Sequence, residues 1–217
     1  MLNDIKGAIF DMDGTLIDSM WVWEKIDVDY LKKKGFVLPS DLRQAIEHLT
    51  MKGTALYFKE RFGIKETIEE IYTEWNNMAF NEYNTNIRLK PGAREYLDFL
   101  KKKDIKIALA TSNSRVLTEA ALKNNGIYEY FDAIITGDDI LVSKASPDIF
   151  ILAAETIGVN PSECAVYEDI LVAIKSAKSA GMKVVGIHDD FSHGDMKNII
   201  EVADHYIHEY NEIYKVV

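Results

Sequence analysis

The sequence predicts an α/β fold, namely a Rossmann-like, doubly wound parallel sheet core with an inserted all-α cap domain. Two observations predict it. Short apolar runs alternate with helical patterns along most of the chain, and one long stretch after the first run has helical periodicity and no convincing strand. We therefore expect an α/β core domain of residues 1–17 and 87–217 and a helical cap domain of residues 18–86.

Five apolar runs are short enough to be buried strands of a parallel sheet. They lie at residues 7–10, 105–110, 133–136, 164–167 and 183–187. Helical patterns lie between them, such as the stripe formed by Ala93, Tyr96, Leu97 and Leu100. This alternation predicts parallel strands joined by helices.

The stretch from residue 18 to residue 86 has two helical stripes and no strand pattern. The members of these stripes are large apolar side chains at helical spacing: Trp23, Ile26, Tyr30 and Leu31, then Ile68, Ile71, Tyr72, Trp75 and Ala79. We expect about four helices here, inserted directly after the first strand and its loop.

Composition and charge narrow the class of protein. The 217 residues are 47% hydrophobic, which is enough for one sizeable core with a small appended domain. The formal net charge of −10 disfavours nucleic acid and anionic membranes as partners.

Cys164 is the only cysteine, so no intrachain disulfide can form. With no signal-peptide pattern and no membrane-length apolar run, we expect a cytoplasmic protein, either a monomer or a small homo-oligomer.

Polar side chains follow four of the predicted strands. The segment DMDGT occupies residues 11–15, Thr111 and Ser112 follow the second strand, Lys144 follows the third, and Glu168 and Asp169 follow the fourth. Ligands of open parallel sheets bind beyond the carboxyl ends of the strands. Converging carboxylates repel one another unless a cation lies among them, and oxygen ligands without histidine or cysteine favour Mg²⁺.

These motifs resemble those of the haloacid dehalogenase superfamily. DMDGT matches its DxDGT signature, and Thr111, Lys144 and the pair Glu168–Asp169 match its later motifs in order. The helical cap is similar to that of the subgroup containing phosphoglycolate phosphatases and β-phosphoglucomutases. Because four ordered motifs with a cap between the first two cover nearly the whole chain, the resemblance is specific.

The resemblance implies a role for each acidic residue. Asp11 attacks phosphorus and forms an aspartyl-phosphate, and Asp13 protonates the leaving oxygen and then activates water. Asp11, Glu168 and Asp169 hold Mg²⁺ through their carboxylates, and Asp13 contributes its backbone carbonyl.

The resemblance also implies a phosphate-binding set. Thr111, Ser112 and Lys144 would bind the oxygens of the transferred phosphoryl group. The chain departs from the usual pattern at Ala145, Ile170 and Ala173, where proline, serine and glycine are common. These positions carry no catalytic group, but they could alter the loop beside the metal.

The cap indicates the size of the substrate. A lid that closes over a cleft suits a small phosphorylated metabolite better than a folded protein. Lys52 is our first candidate for a cap residue that contacts the substrate, and Arg43 is the second. A solvated surface role for Lys52 stays open.

Other functions compete with a phosphatase. β-Phosphoglucomutases that resemble this chain carry a histidine twelve residues after the nucleophile, where Trp23 stands here, so hydrolysis is favoured over mutase chemistry. A calcium loop would need a glutamate where Val22 stands. A receiver-type phosphoacceptor domain would be shorter and lack the insert. A non-catalytic phosphate-binding protein would not need the complete set of motif residues.

Overall fold

A six-stranded parallel sheet forms the centre of the structure, a computed structural model that describes residues 4–140 and 142–215. A separate antiparallel pair of two-residue strands, β2 and β3, lies at the two ends of the cap. In chain order the strands are β1 (Gly7–Phe10), β2 (Ile17–Asp18), β3 (Arg88–Leu89), β4 (Lys106–Ala110), β5 (Ala133–Ile135), β6 (Cys164–Glu168), β7 (Lys183–Ile187) and β8 (His205–Ile207).

Four helices lie between β2 and β3, and the others connect or follow the strands of the large sheet. In chain order the helices are α1 (Met20–Lys33), α2 (Leu42–Ile46), α3 (Met51–Phe62), α4 (Ile68–Thr85), α5 (Ala93–Lys102), α6 (Arg115–Asn124), α7 (Asp148–Thr156), α8 (Leu171–Ser179) and α9 (Met196–Val202). The predicted α/β fold with an all-helical cap is therefore confirmed.

The central strands are buried on both faces, which explains why their sequences are continuous apolar runs. Side chains alternate between the faces: Ala8 and Phe10 join one hydrophobic cluster, and Ile9 joins the other. Helices α5 and α6 cover the first face, and α7, α8 and α9 cover the second. All five predicted strands are present, whereas the edge strand β8 was not predicted.

The strand order places the first motif at the centre of the sheet. The order is β5-β4-β1-β6-β7-β8, so β1 pairs with β4 on one side and with β6 on the other. The chain therefore leaves β1 at the point where the order of strands reverses direction, which is where open α/β sheets form a crevice. The residues that follow β1, β4 and β6 all meet there.

The cap has an aromatic core of its own. Trp75 packs edge-on against Tyr30 and Phe58, with ring centroids 5.4 and 4.9 Å apart. The four cap helices match the number expected, and the paired strands β2 and β3 join the cap to the core. Whether residues 18–86 form a separate domain stays a prediction.

Within the described ranges, none of the helices combines the length and the apolar character that crossing a bilayer requires.

Candidate active site

Asp11 lies at the centre of the crevice because it follows β1 directly. Its backbone N–H donates to the carbonyl of Tyr167 in the neighbouring β6 at 3.0 Å, so the parallel pairing extends into the loop. The residue is only 5% exposed. Burial raises the pKa of Asp11, and the nearby Lys144 ammonium opposes that rise.

Three buried carboxylates form the acidic cluster of the site. Asp11, Glu168 and Asp169 each offer an oxygen, and these atoms all lie within 4.8 Å of one another. Burial and mutual repulsion raise the pKa of Glu168 well above its usual value, and burial raises that of Asp169 to about 6. Hard oxygen donors this close suit a divalent cation such as Mg²⁺, which would offset their repulsion.

Hydrogen bonds fix the orientation of the two later acids. Glu168 accepts from the backbone N–H groups of Asp169 at 3.0 Å and Ile170 at 3.2 Å. Asp169 accepts from the hydroxyls of Thr15 at 2.9 Å and Ser192 at 2.8 Å. Preorganised acids of this kind are what a metal site requires of its surroundings.

Gly14 allows the first motif to lie against Asp169. Its φ is +77°, and a Cβ at this position would lie 2.8 Å from Oδ2 of Asp169. A side chain here would collide with the carboxylate and strain the backbone. The glycine of the DMDGT segment is therefore needed for this close approach.

Lys144 is the one basic side chain buried among these acids in the described residues. Its ammonium donates to Asp11 and, at 2.7 Å, to Glu168, and the residue is 2% exposed. Burial lowers the pKa of Lys144, but the charges of Asp11 and Glu168 outweigh it and raise the pKa above its usual value. The lysine therefore stays charged beside Asp11.

Thr111 and Ser112 follow β4 and border the same cavity. The Thr111 hydroxyl accepts from the backbone N–H of Asn113 at 3.1 Å. The Ser112 hydroxyl is buried and has no hydrogen-bond partner in residues 4–140 and 142–215. A buried hydroxyl without a partner is costly unless a ligand supplies one, so the Ser112 hydroxyl is available to a ligand in the cavity.

The carboxylate of Asp13 has hydrogen-bond donors of its own and lies outside the cluster of Asp11, Glu168 and Asp169. It accepts hydrogen bonds from the side chains of Ser19 at 2.6 Å, Asn113 at 2.8 Å and Tyr83. Burial raises the pKa of Asp13, and these three donors oppose the rise. Its carboxylate is not part of the acidic cluster, so any contact with a metal would use another atom.

The candidate residues of the core all border one cavity of about 300 Å³ between the sheet and the cap. They are Asp11, Asp13, Thr111, Ser112, Lys144, Glu168 and Asp169. Lys52 is not among the lining residues; it pairs with Glu69 at 3.3 Å and lies over the ring of Tyr72. Its role as a substrate contact stays a prediction.

Arg43 does border the cavity. Its guanidinium lies 4.8 Å from the ring centroid of Phe191, and its Nη2 is buried without a hydrogen-bond partner in the described part of the chain. An unpaired donor on the cavity wall is suited to an oxygen atom of a substrate.

Several residues that complete the site were not predicted. Ser19, Tyr83 and Asn113 bind Asp13, and Thr15 and Ser192 bind Asp169. Thr15 belongs to the DMDGT segment and Asn113 directly follows Ser112, so their positions after strands could have indicated them. Tyr83 and Ser192 reach the site from distant segments and carry no local signal.

Comparison with known proteins places these features in a family. The sequence model of the haloacid dehalogenase-like hydrolases matches residues 5–181. The protein YhcW of Bacillus subtilis is 32% identical over 83% of this chain and 82% of its own length. The phosphorylated carbohydrates phosphatase of Thermotoga maritima is 28% identical over 88% of each chain. The fructose-1-phosphate phosphatase YqaB of Escherichia coli is 29% identical over 86% of this chain and 98% of its own.

Solved structures share the fold over almost the whole chain. CbbY from Rhodobacter sphaeroides, solved with phosphate, superimposes with a TM-score of 0.85 and 23% identity, covering 96% of both chains. A family IA haloacid dehalogenase hydrolase from Entamoeba histolytica superimposes with a TM-score of 0.81 and 26% identity, covering 96% of this chain and 95% of its own. The arrangement of sheet and cap is therefore shared with these proteins.

Proposed function

The chain belongs to the haloacid dehalogenase-like hydrolases and is a phosphatase of that family, and we propose that it hydrolyses a small phosphorylated metabolite through a covalent intermediate on Asp11. One observation carries the proposal. Buried acids, a buried lysine and an unpaired hydroxyl border a single cavity at the carboxyl ends of the central strands.

The proposal gives Asp11 the role of nucleophile. Its carboxylate attacks the phosphorus atom, the bond to the leaving oxygen breaks, and the phosphoryl group is carried on Asp11. In this proposal Lys144 and the Ser112 hydroxyl donate hydrogen bonds to the phosphoryl oxygens, which is supported by the position of both residues, and of Thr111, on the cavity wall. Preorganised donors of this type stabilise the charge that spreads over those oxygens.

Asp11, Glu168 and Asp169 are the residues that would hold Mg²⁺. Their carboxylate oxygens are close enough to share one ion, and the set contains neither histidine nor cysteine. When bound, Mg²⁺ supplies a positive charge that neutralises the phosphoryl oxygens and polarises phosphorus. Mg²⁺ dependence is part of the proposal.

The substrate class is proposed to be small phosphorylated metabolites such as sugar phosphates. The cavity volume of about 300 Å³ and the sugar-phosphate substrates of the two phosphatases compared above support this choice. Trp23 supports water as the final acceptor, because it stands where the similar β-phosphoglucomutases carry a histidine that helps to suppress hydrolysis.

The test is hydrolysis of 4-nitrophenyl phosphate by the purified protein. We expect Mg²⁺-dependent activity and a loss of at least about 1,000-fold in kcat for Asp11→Asn, because an amide cannot attack phosphorus. Asp18→Asn is the control, since Asp18 is exposed and lies outside the cavity. Undiminished turnover by Asp11→Asn would exclude the covalent mechanism.

The same preparation, incubated with glucose 1-phosphate isomers, separates the phosphatase from a sugar phosphomutase. We expect release of inorganic phosphate. Formation of glucose 6-phosphate instead would identify a mutase.

A further inference from the structure

A network of hydrogen bonds surrounds the Asp13 carboxylate on the side of the cap. Oδ1 accepts from the hydroxyls of Ser19 at 2.6 Å and of Tyr83, while Oδ2 accepts from Nδ2 of Asn113 at 2.8 Å. Ser19 directly precedes α1, Tyr83 is in α4 and Asn113 follows β4. The carboxylate is therefore held from both the cap and the core.

The Tyr83 hydroxyl uses its single proton to donate a hydrogen bond to Asp13. The Tyr83 oxygen lies 2.7 Å from Nε1 of Trp23 and 3.1 Å from Nδ2 of Asn113. An indole N–H and an amide NH₂ can only donate, so both lone pairs of the tyrosine oxygen accept from them. The hydroxyl must then donate in the remaining direction, where Oδ1 of Asp13 lies.

The orientation of the Asn113 amide is fixed as well. Its Oδ1 accepts from the backbone N–H of Ser114 at 2.7 Å. The NH₂ group must therefore face the opposite side, where it meets Asp13 and Tyr83. Neither the asparagine nor the tyrosine can reverse its role without losing a hydrogen bond.

We propose that Tyr83 is a positioning residue for Asp13, and that the network makes Oδ2 the atom that gives and takes the catalytic proton. Oδ1 has two donors among the described residues, and Oδ2 has one. A carboxylate oxygen has about two lone-pair directions, so a free direction exists at Oδ2 and none at Oδ1. The inference rests on the phosphatase function proposed above.

The two steps balance as follows. In the first, Asp11 bonds to phosphorus, the bond from phosphorus to the leaving oxygen breaks, and the proton on Oδ2 of Asp13 passes to that oxygen. In the second, a water oxygen bonds to phosphorus, one of its two protons passes to Oδ2 while the other stays on the new phosphate oxygen, and the bond from phosphorus to Asp11 breaks. Inorganic phosphate leaves, and both aspartates return to their starting states.

The dependence on leaving group distinguishes positioning from a merely structural role. The benzyl alkoxide is a poor leaving group and needs a proton to depart, whereas 4-nitrophenolate leaves without one. The two phosphate esters are similar in size. The ratio kcat/KM covers only the steps up to departure of the leaving group, so hydrolysis of the intermediate does not affect it.

The experiment measures kcat/KM of Tyr83→Phe with benzyl phosphate and with 4-nitrophenyl phosphate, both at saturating Mg²⁺. We expect a loss of about 10- to 100-fold with benzyl phosphate and of less than about 3-fold with 4-nitrophenyl phosphate. Equal losses with both esters, or no loss with either, would overturn the positioning role.

Two further variants complete the design. Tyr30→Phe is the matched control, because Tyr30 is a buried cap tyrosine whose hydroxyl has no partner among the described residues and which does not border the cavity. The Tyr30→Phe variant should leave kcat/KM unchanged for both esters. Trp23→Phe removes the N–H that orients the Tyr83 hydroxyl, so a smaller loss of about 3- to 10-fold with benzyl phosphate alone is expected. If Tyr83→Phe does not fold, the test rests on Trp23→Phe. Equal losses of kcat/KM with both esters in that variant would overturn the positioning role of Tyr83.

Failure of the proposed function has a different signature. Wild-type protein that hydrolyses neither ester would overturn the proposed hydrolysis through Asp11 and the positioning role with it. Wild-type activity combined with equal losses in the variants would overturn the positioning role alone.

Discussion

Asp27 shows how a single residue of the cap can cost stability. It lies in α1 on the cavity wall, and its carboxylate has no hydrogen-bond or ion-pair partner among the residues that the structure describes. Burial and, secondarily, the charge of Glu24 raise the pKa of Asp27 from 3.8 to about 7. The folded protein therefore binds this proton more tightly than the unfolded chain does. Neutral Asp27 therefore makes a favourable contribution to the free energy of unfolding. This contribution is complete below pH 4 and is lost as the pH rises towards 7.

We expect Asp27→Asn to stabilise the protein at pH 8 by about 2 kcal/mol, because the amide removes a buried charge without changing the shape of the side chain. The gain should shrink towards zero near pH 4. Urea denaturation at a series of pH values measures it. The exposed Asp29→Asn on the same helix is the control for a general change of charge. A gain for Asp27→Asn of the same size at every pH would contradict the assignment.

Helix α4 is the element that links the stability of the cap to the catalytic network. It begins with a capping box, in which Thr67 accepts from the backbone N–H of Glu70 at 3.2 Å and Glu70 accepts from the backbone N–H of Thr67 at 2.8 Å. Its other end carries Tyr83. The same helix therefore has one end that serves stability and one end that meets Asp13.

We expect Thr67→Ala to lower the free energy of unfolding by about 1 kcal/mol, because the first turn loses its cap. The value of kcat/KM should stay unchanged, since Thr67 lies outside the cavity. Thermal unfolding and the 4-nitrophenyl phosphate assay test the two parts separately. Thr67→Ser, which keeps the hydroxyl, should restore most of the stability. A fall in kcat/KM for the alanine variant in its folded form would show that the two ends of α4 are coupled.

The elements that the sequence predicts are those with a strong local pattern. The five buried strands were predicted because both of their faces are covered, which leaves continuous apolar runs. Strand β8 was missed because it lies at the edge of the sheet and two of its three residues, His205 and Tyr206, are polar and only half-buried. Strands β2 and β3 have two residues each, too few to show alternation.

At the scale of the whole molecule, one part of the candidate site could be predicted from the sequence and another part could not. The core residues could be predicted because parallel strands bring their carboxyl ends to one edge of the sheet. The cap residues could not, because a helical stripe shows which face is buried but not what it packs against. The sequence favours Lys52 over Arg43 as the cap residue that contacts the substrate, yet Arg43 borders the cavity and Lys52 pairs with Glu69. Tyr83 meets Asp13 across 70 residues of sequence.

The enclosure of the site between sheet and cap leads to a prediction about substrate size. Asp11 is 5% exposed, and the cavity of about 300 Å³ has room for a small molecule but not for a segment of folded protein. We therefore expect free O-phosphoserine to be hydrolysed with a kcat/KM at least about 100-fold above that for phosphoserine in a folded phosphoprotein. Release of inorganic phosphate at equal concentrations of phosphoserine measures the ratio. The same phosphoprotein, digested to short peptides, is the control, because it keeps the sequence and removes the fold. Equal rates on free and folded substrates would mean that the cap opens widely enough to admit a protein surface, and the substrate class proposed from the cavity would then be wrong.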